Sequence, residues 1–268
     1  MRFRPNRHVY RGIVLVGLAT MAAFRMRLSS SGEESLPQEE VRGWTRTVAP
    51  GRGAVLAVTH FGYLDFAFAQ RVIWHRIKAH PRFMVTKKHA SKPLYGAVCD
   101  LCDHVVVDRA NGAPALEASV EKLRAGEYIC VFPEGGVSVS WTVRKLKTGA
   151  VRMAQQAQVP VIPVSVWGGH RGLTRGRGGL KLRNLWGLRV HVHVGEPLDV
   201  GPDEDVAEAT EELRRRLQAG IDHGIEADET PAESGVWWLP AHRGGGAVTE
   251  AEQERLYEAE RERYRVTG

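Results

Sequence analysis

Three cysteines, Cys99, Cys102 and Cys130, are all that a chain of 268 residues contains. A low, odd count excludes a disulfide scaffold and fits a reducing compartment. Cys99 and Cys102 have C-x-x-C spacing, but His104 is the only close candidate for a further ligand. They read as small residues packed near a helix end, not as a zinc site. A spanning run is missing as well: the uncharged stretch Gly12–Phe24 falls short of the roughly 20 apolar residues that a transmembrane helix needs. There is no Walker loop, no Rossmann glycine fingerprint and no internal repeat, which removes the common nucleotide-binding and solenoid readings. Acidic residues are the scarcer sign, 31 against 37 basic ones, and the pI is about 9.4. That balance favours anionic partners: nucleic acid, phospholipid surfaces or phosphorylated substrates.

What is present is an ordinary globular composition, 43% hydrophobic and 25% charged. Basic residues precede the Gly12–Phe24 run, and Arg25 and Arg27 follow it, with no A-x-A site between. A helix lying in the membrane interface, anchored by cations on both sides, fits better than a signal peptide or a core helix. Residues 29–52 read as a linker and turns.

Beyond the linker, strand-like and helical patterns alternate. Strands are expected at 54–60, 82–87, 104–109, 128–135, 159–169 (broken by two prolines) and 188–198. Helices are expected at 64–79, 92–102, 113–126, 148–158, 203–219 and 249–263. The last two are charge-rich and read as solvated; Thr249 and Glu252 form a capping-box pattern. His191 and His193 share one face of an alternating strand, expected to be the solvated side. Trp237 and Trp238 suit either an interfacial anchor or a packed loop. The pattern predicts one α/β domain with a mixed, largely parallel central sheet flanked by helices, plus the N-terminal membrane-interface helix. Ligands of such sheets bind beyond the carboxyl ends of the strands. His60, Arg109 and Glu134 all fall at predicted strand ends.

The chemistry concentrates in three places. In "THFGYLD", His60 and Asp65 can meet only if His60 ends a strand and the chain turns before Asp65 opens a helix. Gly62 would supply the backbone freedom. A carboxylate facing one imidazole nitrogen fixes the tautomer and leaves the other nitrogen to act as a base. In "FPEGG", the amides of Gly135 and Gly136 would hold a phosphate or an oxyanion, and Glu134 would bind a substrate hydroxyl or orient a base. Arg109, after "VVVD", suits a phosphate by bidentate hydrogen bonding, with an ion pair to Asp108 as the plainer alternative. Lys147 adds charge before a predicted helix.

"THFGYLD", "VVVDR", "VFPEGGVS" and "VPVIPVSVWG" occur in that order, and the series resembles the glycerolipid acyltransferase family, which includes 1-acylglycerol-3-phosphate acyltransferases. Its H-x4-D motif is matched by His60 and Asp65, its arginine after an apolar strand by Arg109. Its F-P-E-G is matched by Phe132 to Gly135, and its proline-bearing strand by Val159 to Val164. The third motif departs from the family: where E-G-T-R-S is frequent, this chain has Glu134-Gly-Gly-Val-Ser, and Arg144 or Lys147 would supply the missing charge. The resemblance implies catalysis by His60 and Asp65, and substrate binding by Arg109, Glu134, Gly135, Gly136 and Lys147. No metal or cofactor is expected; acyl-coenzyme A or acyl carrier protein is a co-substrate. The expected partners are a lysophospholipid and an anionic membrane surface, not nucleic acid. The expected place is the cytoplasmic face of the cell membrane, as a peripheral or monotopic protein in phospholipid biosynthesis. The expected organisation is a membrane-associating segment (1–28), the acyltransferase domain (29–225) and a C-terminal loop with a charged helix (226–268). Other readings are a glycolipid or amino-acid lipid acceptor, a metal-dependent hydrolase built on His60 and Asp65, and an inactive membrane-binding module, against which the intact pair argues.

Overall fold

The computed structural model describes residues 3–37, 41–42, 45–46 and 52–266. In chain order the elements are α1 (Arg7–Ala23), β1 (Arg27–Ser31), the two-residue strands β2 (Val41–Arg42) and β3 (Thr45–Arg46), β4 (Ala54–Val58), α2 (Asp65–Ile77) and β5 (Arg82–Thr86). There follow α3 (Lys87–Ala90), α4 (Pro93–Leu101), β6 (Val105–Val107), α5 (Ala113–Arg124), β7 (Tyr128–Val131), α6 (Gly149–Ala157) and β8 (Val161–Trp167). The chain ends with β9 (Arg189–Val194), α7 (Val206–Glu226) and α8 (Glu250–Val266). Seven strands form one sheet in the order β1-β9-β8-β4-β7-β5-β6. The strands from β8 to β6 are mutually parallel, β9 runs antiparallel to β8, and β1 runs parallel to β9. The mixed, largely parallel sheet expected from the alternation is present.

β4 shows why the fold forms. Ala54–Val58 is apolar throughout and buried at every position, as suits a central parallel strand covered on both faces. Val55 and Ala57 join a core with Leu123 of α5, Val151 of α6 and Leu213 of α7. Leu56 and Val58 join the opposite core with Phe68, Val72 and Ile73 of α2. Each fully buried Val or Leu is worth about 1.5–3 kcal/mol, so the strand that carries His60 is firmly held. α7 lies close on the sheet because a Cβ on Gly220 would stand 2.4 Å from Ser165 Oγ, and one on Gly224 would stand 2.7 Å from Trp167 Cβ.

Three expectations need correction. β1 runs across the start of the predicted linker 29–52; of that stretch, residues 38–40, 43–44 and 47–51 lie outside the described residues. The serines Ser29 and Ser31 gave no apolar signal, yet their hydroxyls lie 2.9 Å from His191 Nδ1 and His193 Nδ1. The histidine pair is therefore not a solvated face: β1 covers its edge, the His223 ring of α7 lies tilted against both imidazoles, and His191 is 7% exposed. Finally, β8 runs unbroken through Pro163. The Pro163 carbonyl still accepts the Gly195 amide at 2.9 Å, so only the bond that proline cannot donate is missing, at the end of the β8–β9 ladder.

α1 is helical, capped by Asn6, and docks one edge on α2 through buried Tyr10 and Val14. Tyr10 Oη donates to Gln70 Oε1 at 2.9 Å or to the Pro81 carbonyl at 2.7 Å. Its outer side leaves Ile13 and Val16 exposed. Among the described residues no helix is long and apolar enough to cross a membrane.

Candidate active site

β4 brings His60 to the carboxyl edge of the sheet, and the chain turns through Phe61, Gly62 and Tyr63 before Asp65 opens α2. Asp65 is fully buried, and its Oδ2 accepts from the amides of Phe61 at 2.7 Å and Gly62 at 2.6 Å. The same oxygen lies 3.8 Å from His60 Nδ1, an ion-pair distance just beyond a hydrogen bond. Neither His60 Nδ1 nor Asp65 Oδ1 has a hydrogen-bond partner among the described residues. Burial raises the Asp65 carboxyl above the usual range, against the pull of the imidazole and the two amides. The His60 ring stacks on Phe132, centroids 4.2 Å apart, and keeps 20% exposure.

Glycine is needed at position 62 for space and not, as expected, for a left-handed backbone, since its φ is not positive. A Cβ there would stand 2.9 Å from the His170 amide nitrogen and 3.1 Å from Asp65 Oδ1.

The "FPEGG" turn sits beside this pair. The Glu134 carboxyl is turned inward onto backbone amides. Its Oε1 accepts the His60 amide at 2.7 Å, its Oε2 accepts the Arg144 amide at 3.2 Å, and it is 4% exposed. A carboxyl so enclosed is not placed to meet a substrate hydroxyl. Burial raises its pKa to about 8. Because the folded value lies above the ordinary 4.5, the stabilisation is complete below that pH, declines above it, and is gone once pH passes about 8. Glu134→Gln should therefore flatten the decline in melting temperature between pH 5 and 9, read by thermal melts against the parent; parallel curves would contradict the assignment.

The Gly135 amide donates to the Phe132 carbonyl at 3.1 Å and closes the turn, so it does not face a ligand. The Gly136 amide has no hydrogen-bond partner among the described residues and is the better oxyanion donor of the expected pair. Gly135 has φ +69°, and a Cβ there would strike Lys147 Cε at 2.8 Å: the lysine side chain lies across the turn. Arg109 reaches the turn from the loop after β6, its Nη2 donating to the Gly135 carbonyl at 3.1 Å. The ion pair expected of Asp108 goes to Lys87 instead, at 2.8 Å. Among the candidates for the missing motif charge, Lys147 is exposed at the turn. Arg144 is covered: its guanidinium stacks 3.5 Å over the Tyr257 ring, and its side chain is 8% exposed.

Several contributors escaped the sequence reading. Gln253 and Tyr257 of α8, expected to be solvated, are buried against the loop that follows Gly136. Gln253 Oε1 accepts from Ser138 Oγ and the Ser140 amide, and Tyr257 Oη donates to the Val137 carbonyl. Gln253 and Tyr257 stand four apart, one above the other on a helix, and that spacing is the signal; Leu256 beside them is exposed. Gly169, at the end of β8, makes room for the carboxylate, since a Cβ there would lie 2.7 Å from Asp65 Oδ1. Trp237 and Trp238 belong to a packed loop, their carbonyls meeting Trp141 Nε1 at 2.8 Å and His170 Nε2 at 2.9 Å. Cys99 and Cys102 are buried at the end of α4, as expected. Among the described residues no three His, Cys, Asp or Glu side chains are grouped to hold a metal ion.

The chain is 27% identical over 122 residues to a probable 1-acyl-sn-glycerol-3-phosphate acyltransferase of Mycoplasma pneumoniae, 44% of this chain and 46% of that protein. It thus spans about half the length of that relative. To the 1-acyl-sn-glycerol-3-phosphate acyltransferase of Bacillus subtilis it is 26% identical over 174 residues, 62% of this chain and 80% of that protein. The crystal structure of the 1-acyl-sn-glycerophosphate acyltransferase of Thermotoga maritima shares the fold, with TM-score 0.64 at 21% identity over 84% of this chain and 83% of that one. A family model described as Acyltransferase matches residues 27–167, a stretch that holds His60, Asp65, Arg109 and the "FPEGG" turn. The chain belongs to the acyltransferase family.

Proposed function

We propose that the chain transfers a fatty acyl group from a thioester, on coenzyme A or acyl carrier protein, to the hydroxyl of a lysophospholipid, 1-acyl-sn-glycerol-3-phosphate first among them. The observation that carries this is His60 Nδ1 facing the buried Asp65 carboxylate at 3.8 Å, beside a turn flanked by Arg109 and Lys147. His60, oriented by Asp65, takes the acceptor's hydroxyl proton through Nε2 as that oxygen attacks the thioester carbonyl carbon. The Gly136 amide stabilises the oxyanion. The C–S bond then breaks, the departing sulfur takes the proton from the imidazolium, and an ester and a free thiol remain. No side chain carries the acyl group. Arg109 and Lys147 hold the acceptor phosphate, and the work is done at the cytoplasmic membrane surface.

A second reading, a glycolipid or amino-acid lipid acceptor, is favoured by the departure at Gly136-Val137 and by the covering of Arg144. Thiol release from an acyl thioester, measured with a panel of phosphorylated and unphosphorylated lysolipids, decides between them. With a phosphorylated acceptor, Arg109→Ala should raise the acceptor KM by roughly 10–100-fold, the equivalent of one charge-assisted hydrogen bond of about 1.5–3 kcal/mol. The donor KM should move far less. Equal changes for both substrates would remove the phosphate role, and turnover restricted to unphosphorylated lipids would select the second reading.

A further inference from the structure

Between Glu134 and Glu196 the chain carries ten Lys and Arg and no Asp or Glu. Of these, Arg144 is covered and Arg171 and Arg189 pair with Asp228 and Glu229, but Arg175, Arg177, Lys181 and Arg183 stand on the 172–188 loop joining β8 to β9. It places Leu180, Leu182 and Trp186 in solvent at 55%, 60% and 60% exposure, with exposed Lys181 and Arg183 interleaved. Large apolar side chains rarely stand so bare in a group unless something covers them. Alternating cations and apolar residues, with a tryptophan among them, suit the headgroup region of an anionic bilayer.

Both ends of the loop are tied to meaningful places. At its start the Leu173 carbonyl accepts the Tyr63 amide at 2.9 Å, and Thr174 Oγ1 donates to the Phe61 carbonyl at 2.6 Å. Those are the residues between His60 and Asp65. At its end the Gly187 amide donates to the Phe24 carbonyl at 2.8 Å, and the Arg25 guanidinium lies 5.5 Å from the Trp186 ring. That is the carboxyl end of α1, whose outer side exposes Ile13 and Val16. The loop thus links the bare face of α1 to the turn that holds the candidate base.

We propose that the 172–188 loop and the outer face of α1 form one surface that docks on anionic phospholipid bilayers, with the loop setting the mouth of the cleft against the lipid. The assignment rests on the lipid-acylating reading for its purpose. Its physical content, a cationic and apolar patch seeking a bilayer, stands separately. Charge chooses the partner: the loop carries Arg175, Arg177, Lys181 and Arg183 and no Asp or Glu, which is complementary to anionic lipid, whereas a second copy would bring the same cations to meet it.

The test uses the full chain and sedimentation with vesicles of phosphatidylcholine, with or without about a third phosphatidylglycerol. Leu180→Ser, Leu182→Ser and Trp186→Ser combined should weaken binding to anionic vesicles by at least about tenfold. Lys181→Glu with Arg183→Glu should do the same on anionic vesicles and leave binding to neutral ones unchanged. Ile13→Ser with Val16→Ser should weaken binding by a smaller factor. All seven positions are solvent-exposed, and circular dichroism confirms folding. Loop variants that bind like the parent overturn the proposal, as does abolition by the α1 variant alone. Loop variants that disperse an oligomer without changing vesicle binding would assign the surface to a second copy and overturn it too. In a parallel assay, turnover of a soluble short-chain acceptor should survive in the loop variants while turnover of a vesicle-borne acceptor falls. Absence of turnover with every acceptor would instead sink the acyl-transfer reading and leave the vesicle result standing.

Discussion

Replacing His60 by alanine is expected to lower kcat for thioester-dependent acylation by about two to four orders of magnitude, the usual contribution of a positioned general base. Folding should survive. The imidazole is partly exposed, its Nδ1 makes no hydrogen bond among the described residues, and it touches the core chiefly by stacking on Phe132. The structural anchors of this position are backbone groups, the His60 amide on Glu134 and the His60 carbonyl accepting the Ser138 amide at 2.8 Å, and alanine keeps both. Thiol release and a thermal melt on the same preparation check the two halves. Turnover near that of the parent would show that another group accepts the proton.

The second large effect belongs to Asp65, where two substitutions separate orientation from structure. Asp65→Asn keeps an oxygen for the Phe61 and Gly62 amides but removes the charge facing His60 Nδ1. It should lower kcat by about 10²–10⁴ with little loss of stability, because a neutral amide neither selects the tautomer nor stabilises the imidazolium. Asp65→Ala should lose the same activity and also unfold more easily. It leaves two buried amides without an acceptor, at about 1–3 kcal/mol each. Chemical denaturation distinguishes the variants. An asparagine enzyme as active as the parent would reduce Asp65 to a cap for its own turn.

Much of this was legible locally. The continuous apolar run of β4, the 3.6-residue stripe of α2 and the glycine closing α5 depend on neighbours a few positions away. Each element therefore appears within a few residues of its expected place. The pairing of His60 with Asp65 was legible for the same reason, since both belong to one strand–turn–helix unit. Long-range partners were not. Glu134 reads as a loop acid exposed at a turn, and only the register of β4 against β7 sets its carboxyl under the His60 amide. Ser29 and Ser31 read as linker because serine carries no strand signal; β9 recruits them by pairing along its free edge. Arg144 reads as an available cation until Tyr257, more than a hundred residues later, stacks on it.

By itself, then, the order of residues determined the α/β alternation, the nearness of His60 to Asp65, and the strand ends at which the candidate residues gather. Those are properties of short segments, governed by steric and apolar periodicity. The tertiary structure alone decided which cation stays at the turn, which glycine amide closes that turn, and which carboxyl is buried against backbone amides. Such outcomes depend on what distant segments occupy the neighbouring space, and no local pattern encodes that.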